Sequence, residues 1–391
     1  MDKYILKKNY LLISFVTLCL LQVSCQPNLP LGWQKYNYIS PKINFTARQM
    51  VSFGEDIWIQ ATKNDGNIWR PLLLRFSIQT QTLKSYQVEL QGGTLVPQKL
   101  FISGKGELWG AGLQYNSPDY MNRLNMNCQI NISNWLLIRY LPNDDRFEIV
   151  QDKDKILRGC RLIAIAEDGE GNLWLPIITG SNYYIFRYNP TTNEAVEVDL
   201  PRILSISSAS VVEIQNILGG PDGALWISVI KSEKNSGIKT SSILRYDPKN
   251  GGVTDFGHPS TDDRGIAVCF DSFGHLWISS IAWLNWDAET PTWHKEAKAL
   301  FFAKTEPDRQ SEFTQPSQIF QSSDGKIWFV LTYQKGLAVF DYGKNIWEKV
   351  SFGENVTENG IIFDISSSIT ENNGYLWVIE NGNFYRLKVR E

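Results

Sequence analysis

Along most of the chain, apolar runs of about five or six residues alternate with polar segments rich in Gly, Asp and Asn. That alternation predicts short β-strands joined by tight turns. Arg161-Leu-Ile-Ala-Ile-Ala and Gly265-Ile-Ala-Val-Cys-Phe are typical first runs. An acidic, glycine-bearing turn follows each: Glu167-Asp-Gly-Glu-Gly, Gly220-Pro-Asp-Gly, Asp271-Ser-Phe-Gly, Ser323-Asp-Gly and Asn372-Asn-Gly. Asp and Asn favour such turns, and Gly takes positive φ at no steric cost. A second run opens on Leu-Trp or Ile-Trp and stays largely β-branched, as in Trp226-Ile-Ser-Val-Ile. A third ends in Arg and an aromatic: Leu74-Arg75-Phe76, Ile138-Arg139-Tyr140, Phe186-Arg187-Tyr188, Leu244-Arg245-Tyr246 and, reversed, Tyr385-Arg386. A fourth, more polar run completes the unit, as in Ala195-Val-Glu-Val, Val253-Thr-Asp-Phe and Trp347-Glu-Lys-Val-Ser-Phe.

The unit recurs. Gly, one or two residues, Leu or Ile, then Trp is written at Trp58, Trp109, Trp174, Trp226, Trp277, Trp328 and Trp377, with gaps of 51, 65, 52, 51, 51 and 49 residues. A period near 50 with four strands per unit predicts an all-β, seven-bladed β-propeller of four-stranded antiparallel blades. A Trp at one blade position is read as packing between blades. The last unit stops after its third strand, at Phe384-Tyr-Arg-Leu-Lys-Val. Gly32-Trp33-Gln34-Lys35-Tyr36-Asn37-Tyr38 matches the outer strand Ile346-Trp347-Glu348-Lys349-Val350-Ser351-Phe352. Residues 32–38 are therefore expected to complete the last blade, so that the propeller occupies 32–391 and the ring presents no open edge.

The Asp-x-x-Gly-x-Leu-Trp-Ile repeat, with Tyr-Asp-Pro downstream, resembles the propeller repeats of bacterial two-component regulator sensors. It is also similar to the streptogramin (virginiamycin B) lyase-like propellers. The likeness covers about 53–391, and its matching residues are structural. The Asn-x-Ile-Gly-Arg-Ile strand that recurs in the lyase family is absent from this chain.

The N-terminus reads as an export signal. Lys3, Lys7 and Lys8 precede the apolar stretch Leu11 to Val23, which is short for a membrane span. Leu21-Gln22-Val23-Ser24-Cys25 then resembles a bacterial lipobox, with Gln22 where Leu is usual. The expectation is a signal peptide over 1–24, lipid attachment at Cys25 and a linker over 25–31, on a lipoprotein facing the periplasm or cell exterior. Plain secretion with an incidental Cys25 is the alternative. Loss of Asp2 and the three lysines changes the formal charge from −3 to −5. No basic block suits nucleic acid. Cys160 and Cys269 lie in apolar runs, as buried thiols do. A Cys128–Cys160 disulfide is the alternative for an oxidising compartment.

Candidate chemistry lies at one end of the ring. The span from anchor Trp to third-strand aromatic is long in unit two (Trp109 to Tyr140), unit five (Trp277 to Phe302) and unit four (Trp226 to Tyr246). Loops after the second strand share an end, and scaffolded loops are where binding concentrates. The unit-five segment 282–296 carries Trp283, Trp286, Trp293, His294 and Glu296, an expected sugar or peptide platform. Thirteen residues before the anchor Trp of units three to seven stand Arg161, Glu213, Arg264, Gln315 and Asp364, which are expected to ring the axial opening; units one and two break the series with Phe45 and Val96. The acidic turns at the other end, with His275, are expected to tolerate substitution. The leading functional expectation is a non-catalytic propeller binding a small molecule, glycan or protein, with no cofactor and no metal. The second is a lyase-like or lactonase-like enzyme using His294 or His258 with acidic residues and a divalent ion.

Overall fold

The computed structural model describes residues 32–36, 45–65, 68–86, 88–90, 93–115, 135–150, 161–179, 182–199, 210–233, 239–259, 266–295, 316–331, 336–350, 368–380 and 383–389. They form seven antiparallel sheets. Blade one runs Phe45–Phe53, Asp56–Asp65, Ile68–Ser77 and Thr82–Tyr86; blade four runs Ser210–Gly219, Leu225–Glu233, Lys239–Tyr246 and Val253–Asp255. Blade two has an extra short strand, Val88–Leu90, and the first strand of blade three is split into Arg161–Leu162 and Ala166–Glu167. The chain is thus the seven-bladed β-propeller that the repeat predicts.

The anchor tryptophans are the core between blades, none more than 3% exposed. Burying each ring removes roughly 150–250 Å² from water, worth about 4–6 kcal/mol at roughly 25 cal/mol per Å². The Arg of the third strand lies directly across from the anchor: Arg75 opposite Trp58, Arg139 opposite Trp109 and Arg386 opposite Trp377. Arg139 stands 5.6 Å from the Trp109 ring centroid and also binds Glu148, so the recurrent Arg covers the indole while its charge is paired.

Ring closure follows the expected route. Trp33–Tyr36 pairs antiparallel with Asn383–Lys388, with Trp33 opposite Leu387 and Tyr36 opposite Phe384. Residues 37 and 38 lie outside the described residues.

Blade five departs from expectation. Its third strand is Ala282–Asn285 and its fourth is Thr292–Lys295, so Trp283, Trp293 and His294 are blade strands, with Trp286 in the turn between them. The expected loop from Trp277 to Phe302 does not exist; Trp277 lies directly opposite Trp283. The chain reverses through Ser279, Ser280 and Ile281, with Ile281 at φ 58°. A β-branched residue rarely takes that conformation, so nothing in the sequence marks the turn.

Neighbouring blades are fastened by side chains that grip backbone. Gln49 donates to the Leu100 carbonyl at 2.8 Å and accepts its N–H at 2.9 Å. Gln318 grips Ile369 in the same way, at 2.9 and 3.1 Å. At the turns, Glu167 accepts from the Gly104 N–H, Gln321 from that of Ser272 and Glu371 from that of Ser323. Blades three and four do without a side chain: Gly169 N–H donates to the Gly223 carbonyl at 3.0 Å, and a Cβ on Gly169 would meet Gly223 Cα at 2.8 Å.

Blades one and two also share a charged lock. Asp145 Oδ1 accepts from Arg75, Tyr86 and Tyr140, each at 2.6 Å, and its Oδ2 accepts from Lys84. Burial alone would push this carboxyl up, but the bonds from Lys84, Tyr140 and Tyr86 and the Arg75 charge outweigh it and hold it well below the usual range. A depressed folded-state value contributes stability that is present above the unfolded value near ~3.9 and is lost as pH falls through the folded value. Asp145 sits at φ 49°, which Asn tolerates, so Asp145→Asn isolates the charge. Its urea midpoint is expected below wild type at pH 7, with the gap closing as the pH is lowered from 4 towards 2. A gap independent of pH would refute the assignment.

Candidate functional site

Antiparallel blades put the turns between strands one and two, and three and four, at one end of the ring. The remaining connections leave at the other end. At the first end no connection exceeds the six residues 286–291 or 247–252. At the second end the flanking strands stop before 116–134 in blade two, 296–315 after blade five and 351–367 after blade six, all outside the described residues. The excess length expected in unit five therefore falls after its fourth strand, which ends at Lys295.

At that long-connection end, Glu213 lies in the first strand of blade four, half-buried, 3.5 Å from Lys239 Nζ and bonded by Gln215. Arg161 begins the first strand of blade three, opposite Ile178. Arg264, Gln315 and Asp364 lie outside the described residues, as do Cys25, Cys128, Cys160 and Glu296.

The blade-five aromatics are not a loop platform. Trp286 donates its indole N–H to the Gly274 carbonyl at 2.8 Å and meets Trp226 edge-on at 5.4 Å. Trp293 donates to the Phe256 carbonyl at 2.9 Å. Both pack between blades four and five. Trp283 is sandwiched between His275 at 4.2 Å and His294 at 3.9 Å, the latter ring stacked. His258 packs near Trp293 at 6.2 Å. The three imidazoles thus line blade walls, and among the described residues no three His, Cys, Asp or Glu side chains are grouped to hold a metal ion. Burial, with Asp271 nearby, pushes the Cys269 thiol up to about 12, leaving an inert thiol at neutral pH.

The turn end carries two features that sequence reasoning missed. The first is chemical. In blades three, five and six the residue six before the anchor is a buried acceptor for the indole: Asp168 for Trp174 at 2.8 Å, Asp271 for Trp277 and Ser322 for Trp328, each at 2.9 Å. Asp271 also accepts from the N–H groups of Phe273 and His275 and from the Tyr342 hydroxyl. At the equivalent place in blade four stands Gly220, where a Cβ would lie 2.6 Å from Trp226 Nε1. These turns are load-carrying parts of the core, which corrects the expectation that they tolerate substitution. The signal was the fixed Asp or Ser spacing from Trp, read only as turn chemistry.

The second feature is geometric. Where the inner turns of blades five, six, seven and one converge, they enclose an open depression of about 500 Å³. A second, of about 550 Å³, lies among the glycine-rich turns of blades two to four, beside Lys105, Glu167 and Glu170.

No protein-family model and no curated protein matches the sequence. Solved structures match the fold. Virginiamycin B lyase from Staphylococcus aureus aligns over 92% of this chain and 99% of its own, with 16% identity and a TM-score of 0.55. A streptogramin B lyase aligns over 92% and 97%, with the same identity and score. The extracellular domain of a two-component system from B. thetaiotaomicron aligns over 93% of this chain and 60% of its own, with 13% identity and a TM-score of 0.32. The lyase propellers named from the repeat are thus among the structural neighbours. At these identities the likeness is one of fold, and a propeller fold hosts many functions.

Proposed function

We propose that the chain is an exported, lipid-anchored propeller that binds a ligand or partner without catalysis at its long-connection end. One observation carries this reading: every extended connection leaves the ring at a single end, while the other is closed by turns of six residues or fewer. A rigid scaffold with its variable segments gathered at one end is the arrangement by which loops acquire binding roles. On this reading Arg161, Glu213, Arg264 and Asp364 are charged residues of the axial opening, and Gln315 is a polar one. The packing of His294 against Trp283 and of His258 near Trp293 favours binding over catalysis. Anchoring rests on the basic, then apolar, N-terminus and the Ser24-Cys25 junction.

The test uses one variant for both halves. Cys25→Ser is expected to move the protein from the membrane pellet to the soluble fraction, because the acyl chains that would hold it are gone. That soluble protein is then screened against glycans and peptides. Arg161→Glu with Arg264→Glu is expected to weaken the binding found by at least tenfold while the melting temperature holds. Equal membrane partition of both forms would overturn the anchor, and binding unaffected by the double reversal would overturn the face.

A further inference from the structure

The depression enclosed by the inner turns of blades five, six, seven and one is walled by polar groups. Among the described residues no apolar side chain, no aromatic ring and no Lys or Arg lines it, and Glu371 is the one charged side chain in its lining. Hydrogen bonding within this wall is lopsided. Gln321 spends its amide N–H groups on Ser272 Oγ at 3.1 Å and the Gly325 carbonyl at 3.2 Å. Asn372 spends its own on Ser52 Oγ at 2.7 Å and on the Gly54 and Asp56 carbonyls at 3.1 and 3.2 Å. These carboxamide donors are consumed inside the wall, and acceptors are left over. Glu371 takes the Ser323 N–H on one oxygen at 2.7 Å, and its other oxygen has no donor among the described residues. Asn372 is 4% exposed, and its Oδ1 is buried with no hydrogen-bond partner. An acceptor stranded in this way costs free energy until a donor reaches it.

The same bonds fix the wall in advance. Gln321 ties blade six to blade five, Glu371 ties seven to six, and Asn372 ties seven to one. A ligand therefore meets acceptors already in place. Surplus acceptors around one carboxylate suit a ligand that only donates and carries positive charge. A primary ammonium has that character, with three N–H donors and no acceptor. A quaternary ammonium is recognised by aromatic cages, and no aromatic ring lines this depression. Calcium gathers about six to eight oxygens, carboxylates prominent among them, whereas no three His, Cys, Asp or Glu side chains are grouped among the described residues. Anions would meet Glu371 with no cation to offset it. A volume of about 500 Å³ is that of a small-molecule site.

We propose that this turn-end mouth binds a small polar molecule through its primary ammonium group, with Glu371 as the charge partner and the serine hydroxyls and carboxamide oxygens as further acceptors. The site lies at the opposite end of the ring from Arg161 and Glu213, and the proposal stands or falls independently of the function assigned to that end.

The test is calorimetric titration of the soluble Cys25→Ser protein at pH 6 with two matched pairs, putrescine against butanediol and glucosamine against glucose. At least one amine is expected to bind, at least tenfold more tightly than its neutral counterpart. Glu371→Gln keeps an oxygen for the Ser323 N–H but removes the charge; it is expected to weaken binding tenfold or more while the melting temperature of the unliganded protein holds. Ser323 lines the depression and is exposed, so Ser323→Lys sets a tethered ammonium in the mouth and is expected to block the amine, a result that does not depend on how Glu371→Gln folds. Glu197→Gln, on the exposed outer strand of blade three, is expected to leave the affinity unchanged. No binding of either amine, equal binding of an amine and its neutral counterpart, or binding that survives both Glu371→Gln and Ser323→Lys would overturn the proposal. Calcium chloride binding in place of the amines would make the mouth a metal site and overturn it. Binding lost on Glu213→Gln but not on Glu371→Gln would place the amine at the other end and overturn it as well.

Discussion

Deleting residues 27–40 is expected to destabilise the whole ring and not merely fray one blade. The deleted segment includes a strand that serves three blades at once. Trp33, 6% exposed, packs edge-on against Trp328 of blade six at 5.9 Å. Tyr36, on the opposite face of the strand, meets Trp377 at 5.0 Å and Phe76 of blade one at 5.8 Å, and its hydroxyl bonds the Ile78 carbonyl. Its backbone covers the edge of Asn383–Lys388, which would otherwise stand open to pairing with another chain. Trp33→Ala alone should cost about 3–5 kcal/mol, the usual loss for a buried Trp. The deletion should lower the melting temperature by well over ten degrees and promote aggregation on heating. Calorimetry of the deleted and intact proteins decides; melting within a degree or two of the intact chain would refute the role given to this strand.

Asp271→Ala should be the most damaging substitution at the turn end. The carboxylate accepts from Phe273 N–H at 3.0 Å, His275 N–H and Trp277 Nε1 at 2.9 Å, and the Tyr342 hydroxyl at 2.7 Å. Alanine leaves one buried and three part-buried donors without this acceptor, a fully buried one being worth about 1–3 kcal/mol when stranded. Some regain water, so a net loss of about 3–5 kcal/mol is expected, read as a lower urea midpoint with unchanged slope. Asp271→Asn should be milder, because it keeps an acceptor oxygen. By contrast, Ser323→Ala at the neighbouring turn should change the midpoint little. An Asp271→Ala midpoint matching wild type would show that the turn is not part of the core.

Much of the fold was legible because its strongest determinants are short-range and periodic. The Gly-x-Leu-Trp core fixes a turn and a buried ring in one stroke, and the Trp33 match to Trp347 revealed the closing strand. Blade five was misread because the expected marker, Arg followed by an aromatic, is replaced there by Trp283, and because Ile281 makes its turn in a conformation foreign to Ile. Trp286 and Trp293 were placed in a loop for that reason. Long-range roles were the least legible. That Asp271 serves Tyr342 of the next blade, or that Gln49 grips the backbone of Leu100, follows only from how blades sit against one another. Of the axial residues expected at the long-connection end, Glu213 is found paired with Lys239, a partner that no spacing rule indicated.

The fastenings between blades have a consequence for how such a chain diversifies. Gln49, Gln318, Glu167, Gln321 and Glu371 each recognise main chain in the adjoining blade. A peptide group is present whatever residue occupies the position. A blade copied by gene duplication therefore carries its own half of the joint and finds the other half ready-made, with no matching mutation needed next door. Blades can then drift apart in sequence, and surface chemistry can be reassigned one blade at a time, without loosening the wheel. The Gly169–Gly223 contact is the exception, since it admits no side chain on either partner; that joint is inherited as a pair or not at all.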